Sequence, residues 1–291
     1  MGTLGREKLW TSDIWATIDK AVTAEVGRQR VAQKVFDAVP MPNAPNVPAL
    51  VLLPPVRGSD GASAVATLRA EEGTTRQFME ISLEFPLTEG QVESESTFRT
   101  AQIFARLAAR SIALAEDALF FQGGSAPLPP GVRVTNAASA GAGLLNLAGA
   151  LAISVEPQDG GGFGERTFRA VSQAIAQLTA NGHPGPFALC LEPTVFADTY
   201  APAAGTLVTT ADRILPLVEG RMYSTAALPP GRGIFFSLGG EPTTIYIAQE
   251  AMAGYTQVDQ QGVHQLRVSE RVQIVPIEET AFIRLEFQIS Q

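Results

Sequence analysis

The stretch SESTFRTAQIFARLAARSIALAEDALFF, residues 94–121, carries the clearest helical pattern in the sequence. Apolar side chains recur every three or four residues along it, which is the period of a helix with a buried face. This stripe consists of Ile103, Phe104, Leu107, Ala108, Ile112, Ala115 and Leu119. No Gly or Pro interrupts the run, and Gly123 and Gly124 follow it as a stop signal. The pattern predicts one helix of roughly 40 Å, which is unusually long for a compact domain.

The residues before this helix predict a second helix and an extended finger. Residues 12–27 have apolar side chains at helical spacing and predict a short amphipathic helix. Residues 38–62 then carry six prolines between positions 40 and 55, which exclude a helix there. Residues 78–87, FMEISLEFPL, alternate polar and apolar side chains as a strand with one wet face does. A proline-rich excursion that returns as a strand predicts a two-stranded β-finger.

The residues after the long helix predict a mixed, strand-rich second half. Residues 123–165 are rich in Gly, Ala, Ser and Pro, which predicts loops and short strands. Residues 165–181 have the pattern of another amphipathic helix, and FALCLEP at 187–193 that of a buried strand. Strand-like runs follow between 221 and 248 and again across 282–287.

Composition limits the function. Only 17% of the 291 residues are charged, below the usual quarter, which indicates that much of the surface is buried against other subunits. The net charge of −8 and the lack of a Lys/Arg cluster argue against nucleic acid as a partner. The sequence has no apolar span of membrane length, and its first residues have no secretory pattern. We therefore expect no membrane partner and a cytoplasmic location.

The single cysteine and one of the two histidines lie seven residues apart, in HPGPFALCLEP at 183–193. A nucleophilic cysteine needs an accessible, electropositive setting, whereas Cys190 lies in an apolar strand. We therefore interpret Cys190 as a packing residue rather than as the partner of His183 in a catalytic pair. A hydrolase that uses Cys190 is kept as a minor alternative.

No other residues suggest a catalytic or metal site. Two histidines and one cysteine are too few for a typical zinc site. The acidic pairs Glu116–Asp117 and Glu278–Glu279 are sequence neighbours, which do not face one point on a helix. We expect them to be surface or interface carboxylates. The prediction is therefore no catalytic residue, no bound metal and no cofactor.

Several short motifs, in a fixed order, resemble one protein family. Each is weak alone, but together they cover nearly the whole chain, and the chain is similar to the encapsulins, shell proteins that share the fold of tailed-phage major capsid proteins. The segments that carry the resemblance are WATID at 15–19, RVAQKVFDAV at 30–39, AEDALFFQG at 115–123, QLTANGHPGPFALCLEPTVF at 177–196, GRMYSTAALPPGRGIFFSLGG at 220–240 and ERVQIVPIEETAFIRLEF at 270–287.

The resemblance implies an α+β, HK97-like capsid fold. Its parts are an N-terminal helix, an extended β-finger (the E-loop), a long spine helix in a peripheral domain and a β-rich apical domain. The implied boundaries are 1–40 for the N-terminal helix and arm, 41–90 for the finger, 91–185 with 250–291 for the peripheral domain, and 186–249 for the apical domain.

The resemblance also implies partners. The chain would pair with itself in an icosahedral shell of at least about 60 copies. The shell would enclose a cargo enzyme, a peroxidase or a ferritin-like iron-oxidising protein, held through its C-terminal targeting peptide. By position on the first helix, the candidate residues of the peptide groove are Trp15, Ile18, Val22, Val26 and Val31. Periodicity alone also fits a plain core face for this stripe.

The loop at 200–210 resembles the one that lines the five-fold pore of encapsulins, and Ala203, Ala204, Gly205 and Thr206 are the candidate pore residues. The loop has no charge, which predicts selection of small solutes by size. A flavin packs against an aromatic finger in some relatives, but Pro86 stands where a tryptophan would be looked for, and no flavin is expected.

The alternative function is a phage or prophage major capsid protein that packages DNA. Such proteins usually have a long, charged, helical N-terminal extension, which this sequence does not show. The pattern of the first helix favours the encapsulin interpretation.

Overall fold

The computed structural model describes residues 5–6, 9–42, 44–53, 69–158, 162–202 and 207–289. The α-helices in these ranges are α1 (Ser12–Gln29), α2 (Ala32–Val35), α3 (Glu89–Glu93), α4 (Glu95–Phe98), α5 (Thr100–Gln122), α6 (Gly164–Ala180), α7 (Pro193–Thr199) and α8 (Thr210–Ile214). No helix among these residues combines the length and apolarity needed to cross a membrane.

The strands form two five-stranded sheets and one two-stranded ladder. They are β1 (Ala38–Pro40), β2 (Asn46–Leu53), β3 (Arg69–Gln77), β4 (Met79–Leu87), β5 (Val132–Thr135), β6 (Leu151–Val155), β7 (Phe187–Leu191), β8 (Met222–Ser224), β9 (Arg232–Ser237), β10 (Thr243–Val258), β11 (His264–Pro276) and β12 (Phe282–Phe287). The first sheet has the order β1-β10-β11-β4-β5, the second β6-β12-β9-β7-β8, and β2 pairs with β3. The predicted α+β class is confirmed.

Helix α5 is the centre of the larger core. It packs between α1 and the first sheet, with contacts to β4 and β11. Leu119, Phe120 and Phe121 near its C-terminus have no exposed surface. A long helix enclosed in this way buries apolar surface over most of its circumference, which is the main favourable term of folding.

The predicted single helix over 94–121 is interrupted, and this prediction was wrong in detail. Arg99 has φ 55°, a left-handed conformation that separates the one-turn α4 from α5. The side chain of Glu95 accepts hydrogen bonds from the backbone N–H groups of Ala101 (2.7 Å) and Gln102 (3.1 Å). These bonds satisfy two donors that a helix start leaves free, so α5 begins here and spans about 35 Å.

The predicted stop of the helix at Gly123 is confirmed. Gly123 follows the last helical residue with φ 89°, a conformation that L side chains rarely adopt. A Cβ atom at this position would lie 2.4 Å from the carbonyl oxygen of Gly141. Both the conformation and the close backbone approach therefore require glycine.

The finger consists of β2 and β3, which pair in antiparallel register from Asn46–Gln77 to Leu53–Arg69. The strand β4, which the predicted finger boundary of 41–90 included, pairs instead with β11 and β5 of the first sheet. A small cluster of buried side chains lies at the base of the finger, where it joins this sheet; it contains Val47, Phe78, Ala248 and Val275.

The second core lies between the second sheet and helices α6 and α8. Val171 and Leu178 of α6 pack with Leu285 of β12 and with Phe235, whose ring stacks on Phe187 at 5.4 Å. The predicted boundaries assigned α6 and β12 to the peripheral domain. In the structure, β12 pairs with β6 and β9 of the second sheet, and α6 packs on that sheet in the second core. Asn181 and Gly182 end α6, as their sequence predicts.

Candidate functional site

The five predicted groove residues, four on α1 and Val31 just before α2, all lie in the core. Trp15, Ile18, Val22, Val26 and Val31 each expose 5% or less of their surface. Helix α1 packs this face against α5 and β10. The alternative interpretation of the stripe as a plain core face therefore describes their position, and a peptide on this helix would meet other side chains.

The start of α1 is fixed by residues that precede it. The indole Nε1 of Trp15 donates to the carbonyl oxygen of Arg6 (2.9 Å), and the rings of Trp10 and Trp15 meet edge to face at 5.0 Å. The Arg6 guanidinium makes paired hydrogen bonds of 2.7 Å with the carboxylate of Asp19. A paired arginine–carboxylate contact of this kind is directional, so it fixes the orientation of the helix.

An open groove of about 280 Å³ lies between α1 and the start of α5. Its lining residues are Asp13, Ile14, Thr17, Ile18, Glu95, Ser96, Arg99 and Gln102. Ile18 is the only predicted groove residue among them. Because the carboxylate of Glu95 is occupied by two backbone donors, the free charges at the rim are those of Asp13 and Arg99. The groove thus combines the partly exposed Ile14 with two opposite charges in its lining.

The end of α4 and the N-terminal half of α5 expose large apolar side chains. Phe98, Ile103 and Leu107 have 68%, 50% and 57% of their surface exposed. The predicted stripe assigned Ile103 and Leu107 to the buried face; the structure reverses their orientation, because small alanines occupy the inward positions. Those alanines are Ala101, Ala105, Ala108 and Ala109.

The same surface is basic. Arg99, Arg106 and Arg110 are exposed, and none forms an ion pair within the described ranges. We call the six exposed residues Phe98, Arg99, Ile103, Arg106, Leu107 and Arg110 the spine face. Three unpaired cations beside three apolar side chains, on a chain with net charge −8, suit an acidic and apolar partner surface.

The predicted pore residues Ala203, Ala204, Gly205 and Thr206 lie outside the described residues. The positions on either side can be described. Pro202 and Thr209 form an isolated antiparallel bridge, and Leu207 is 99% exposed. Thr209 and Asp212 then cap α8 through reciprocal hydrogen bonds, which also hold the pKa of Asp212 below its usual range. The loop therefore starts and ends at a closed stem.

Cys190 and His183 do not form a catalytic pair. Cys190 is completely buried in β7, and burial raises its thiol pKa well above the usual range, with a further contribution from Asp117. A nucleophilic thiol needs the opposite shift. The ring of His183 contacts Glu278 through Nδ1 (3.3 Å) and Thr280 through Nε2 (2.8 Å), so both nitrogens face the loop before β12.

The prediction that Glu116 and Asp117 are surface or interface carboxylates was wrong, because both have no exposed surface. The Asp117 carboxylate accepts from the backbone N–H groups of Val31 (2.8 Å) and Ala32 (2.9 Å), at the start of α2. Glu116 pairs with the guanidinium of Arg30, Nε to Oε2 at 2.5 Å. These partners belong to the segment after α1, which the sequence places more than 80 residues away.

Glu278 and Glu279 behave differently from this pair. Glu278 is half-buried and contacts His183, while Glu279 is exposed and accepts a hydrogen bond from the backbone N–H of Gly149 (3.1 Å).

A third buried carboxylate joins Arg30. Glu270 of β11 has no exposed surface and pairs with the Arg30 guanidinium, and its Oε1 has no hydrogen-bond partner within the described part of the chain. We call Arg30, Glu116, Asp117 and Glu270 the Arg30 cluster. Arg30 and Glu270 were not among the predicted site residues, since nothing in their local sequence indicates that residues 240 positions apart meet.

Burial dominates the ionisation of this cluster. Desolvation, together with the charge of Glu116, raises the pKa of Asp117 to about 7, against the lowering effect of its two backbone donors. Desolvation also raises the pKa of Glu116, although Arg30 opposes it. Nowhere in the described ranges do three or more His, Cys, Asp or Glu side chains gather as a metal site requires.

Comparison with known proteins agrees with this architecture. A family model described as "Encapsulating protein for peroxidase" matches residues 9–273. The virus-like particle of Pyrococcus furiosus is similar to this structure with a TM-score of 0.70 at 12% identity, over 94% of this chain and 99% of that chain. No curated protein matches the sequence.

Phage-type capsid subunits have the same fold. The capsid of the native GTA particle aligns with a TM-score of 0.59 at 15% identity, over 88% of this chain and 89% of that chain. A structure from Gordonia phage Cozz aligns with a TM-score of 0.56 at 10% identity, over 90% and 87%. The predicted HK97-like capsid fold is confirmed. Because the family model covers most of the 291 residues, this chain belongs to the family of encapsulating proteins for peroxidase.

Proposed function

We propose that this chain is the subunit of a closed icosahedral shell that encloses an enzyme. At least about 60 copies would close the surface, as cyclic contacts around symmetry axes require. Family membership supports an encapsulating role, and the fold is that of capsid subunits. In this proposal the chain has no catalytic role, and the shell lies in the cytoplasm.

The spine face is the observation that carries the proposal. A monomer in water would expose charged side chains on the outer side of its longest helix, whereas α5 turns Ile103 and Leu107 outward and alanines inward. Exposed apolar side chains of this size mark interaction surfaces. A neighbouring copy is acidic overall, since the chain has 29 acidic and 21 basic residues, so charge also favours a second copy as the partner.

The finger would supply a further contact between copies. Its two strands pair only with each other among the described residues, so their outer edges keep free backbone donors and acceptors. Strand edges of this kind are satisfied when another chain adds to them. We propose that the finger lies across a neighbouring subunit.

Electron microscopy and sedimentation test the assembly. We expect purified protein to form hollow particles rather than sediment as a 30.8 kDa species. The variant Leu107→Glu should leave the circular-dichroism spectrum unchanged but abolish closed particles, while the matched variant Leu107→Met should assemble normally. Monodisperse monomers from the unaltered protein would reject the proposal.

We further propose that a peroxidase is held in the groove between α1 and the start of α5, through a C-terminal targeting peptide. The half-buried Ile14 in the groove lining would contact apolar side chains of the peptide, and Arg99, which also lines the groove, would attract acidic ones. The variant Ile14→Glu should lower peroxidase activity per purified shell. Ala16→Glu places the same charge on an exposed position of the same helix and should not. Equal loading of both variants would exclude this groove.

Residues 203–206 would line a pore for small solutes in the assembled shell. Because the segment has no charge, solutes would be selected by size. Ala204→Asp should then speed the entry of cations relative to neutral solutes of equal size, and unchanged entry rates would place the pore elsewhere.

The second candidate function is a phage-type capsid protein that packages DNA. The likeness to the GTA capsid supports it, because the fold is similar over 88% of the chain. The two functions differ in their contents. Particles treated with nuclease and protease and then opened should release peroxidase activity under the first proposal, and protected DNA under the second.

A further inference from the structure

The Arg30 cluster has too few positive charges for its carboxylates. Arg30 is its only buried cation, while Glu116, Asp117 and Glu270 are all fully buried. The other polar groups that face it are Gln33, which donates to Glu116 (2.8 Å), and the exposed Glu250, 3.8 Å from Arg30. The charge of Asp117 also contributes to the raised pKa of the buried Cys190 thiol in β7. No second cation balances the charge within the described residues.

Two excess negative charges would remain inside the core if all three carboxylates were ionised. An uncompensated buried charge costs several kcal/mol, so such a group takes up a proton instead. Burial raises the pKa of both Glu116 and Asp117, and the charge of Glu116 raises that of Asp117 further, so we assign the proton to this adjacent pair.

The cluster also joins three parts of the chain. Arg30 and the first residues of α2 belong to the N-terminal segment, Glu116 and Asp117 to α5, and Glu270 to β11. Its protonation state therefore acts on the contact between the N-terminal segment, residues 12–36, and the rest of the larger core.

We propose that the Arg30 cluster is a pH-sensitive anchor, which holds the N-terminal segment on α5 while the Glu116–Asp117 pair keeps one proton and loosens that segment when the proton is lost to solvent. The pKa of Asp117 is raised, from an ordinary 3.8 to about 7. A raised pKa means that the folded state binds the proton more tightly than the unfolded state. The contribution to stability is therefore complete at acidic pH and is lost as the pH rises through about 7.

The anchor acts on the surface proposed for cargo, although it does not depend on that proposal. Helix α1 forms one wall of the groove that contains Ile14 and Ile18. If the groove holds the targeting peptide, loosening of α1 above neutral pH would also weaken the hold on cargo.

Amide hydrogen exchange of the assembled protein tests the anchor. Between pH 6 and 8.5, after correction for the intrinsic rate, protection of the amides of residues 30–35 should fall by about tenfold or more, since one pKa unit is a factor of ten. Asp117→Asn, which copies the neutral form, should remove most of this fall. Glu93→Gln neutralises an exposed carboxylate and should behave as the unaltered protein.

Two results would overturn the proposal. One is an equal pH-dependent loss of protection in Asp117→Asn and in the unaltered protein. The other is a pH-independent protection in the unaltered protein.

Infrared spectroscopy gives a second readout that needs no variant to assemble. At pH 6 the unaltered protein should show the carbonyl band of a buried protonated carboxylic acid, which disappears by pH 8.5. In Glu116→Gln the midpoint should move to lower pH, because the charge of Glu116 raises the pKa of Asp117. Absence of the band from the unaltered protein at pH 6 would contradict the anchor even if every variant misfolds.

Discussion

In the C-terminal half of α5, from Ile112 to Phe121, every residue except Leu114 is buried, whereas the N-terminal half turns Ile103 and Leu107 toward the outside. Both halves are rich in apolar residues. In the C-terminal half these side chains face the core, whereas in the N-terminal half Ile103 and Leu107 face outward. The buried half also encloses two carboxylates, while the exposed half carries Arg106 and Arg110, which form no ion pair among the described residues. One continuous helix thus provides both the core of its own subunit and, in our proposal, a surface for the next.

Arg30→Met should lower the free energy of unfolding most, because Arg30 pairs with Glu116 in the buried half of α5. Arg30 is the one buried cation beside Glu116 and Glu270 in the described part of the chain, and loss of one partner from a buried ion pair costs about 3–5 kcal/mol. The matched variant Arg110→Met, in the exposed half, should change the free energy of unfolding by less than about 0.5 kcal/mol. Urea unfolding followed by circular dichroism measures both. Similar values for the two variants would remove the distinction between the halves.

Leu119→Ala and Leu107→Ala compare packing in the two halves. Leu119 has no exposed surface, and truncation of such a leucine costs about 2–5 kcal/mol through lost burial and a cavity. Leu107 is largely exposed, so its truncation should leave the C-terminal half of α5 unaffected. Hydrogen exchange of the amides of residues 112–121 reports the difference. The comparison fails if both variants lower protection there to the same extent.

Glu95→Ala should have the smallest of these effects. Its carboxylate accepts from two backbone donors at the start of α5, and loss of such a cap costs about 0.5–2 kcal/mol. Glu93→Ala removes an exposed carboxylate two residues earlier and should cost little. Exchange rates of the amides of Ala101 and Gln102 distinguish them, because the Glu95 carboxylate accepts from these two donors. Identical rates in the two variants would show that the helix start needs no carboxylate.

The order of helices and strands could be predicted from periodicity and from Gly and Pro, as the C-terminal ends of α5 and α6 illustrate. The break at Arg99 could not, because Glu95 has the same local appearance whether it is an exposed helical residue or a cap. The sequence pattern also did not predict that the side chain of Leu107 faces outward. Helical spacing defines a stripe of apolar side chains but does not say which side of the helix is wet.

The candidate sites were less predictable than the fold. Four of the five residues of the predicted groove share a face of α1, yet that helix packs on α5 and β10 and these four side chains are buried. The Arg30 cluster depends on Glu270, which lies beside Arg30 in a strand, β11, that pairs within the first sheet. Interactions that span most of the chain have no local signal in a single sequence.

The small cluster at the base of the finger has a consequence for shell curvature. Val47 is held there by Phe78 and Val275, and the strand continues to Leu53, about 20 Å away at 3.3 Å per residue. A tilt of about 10° at the base would move Leu53 by about 3–4 Å over that length. In our proposal the finger reaches the adjoining subunit, so the packing of a few side chains at its root would set the angle between subunits and thereby the radius of the container.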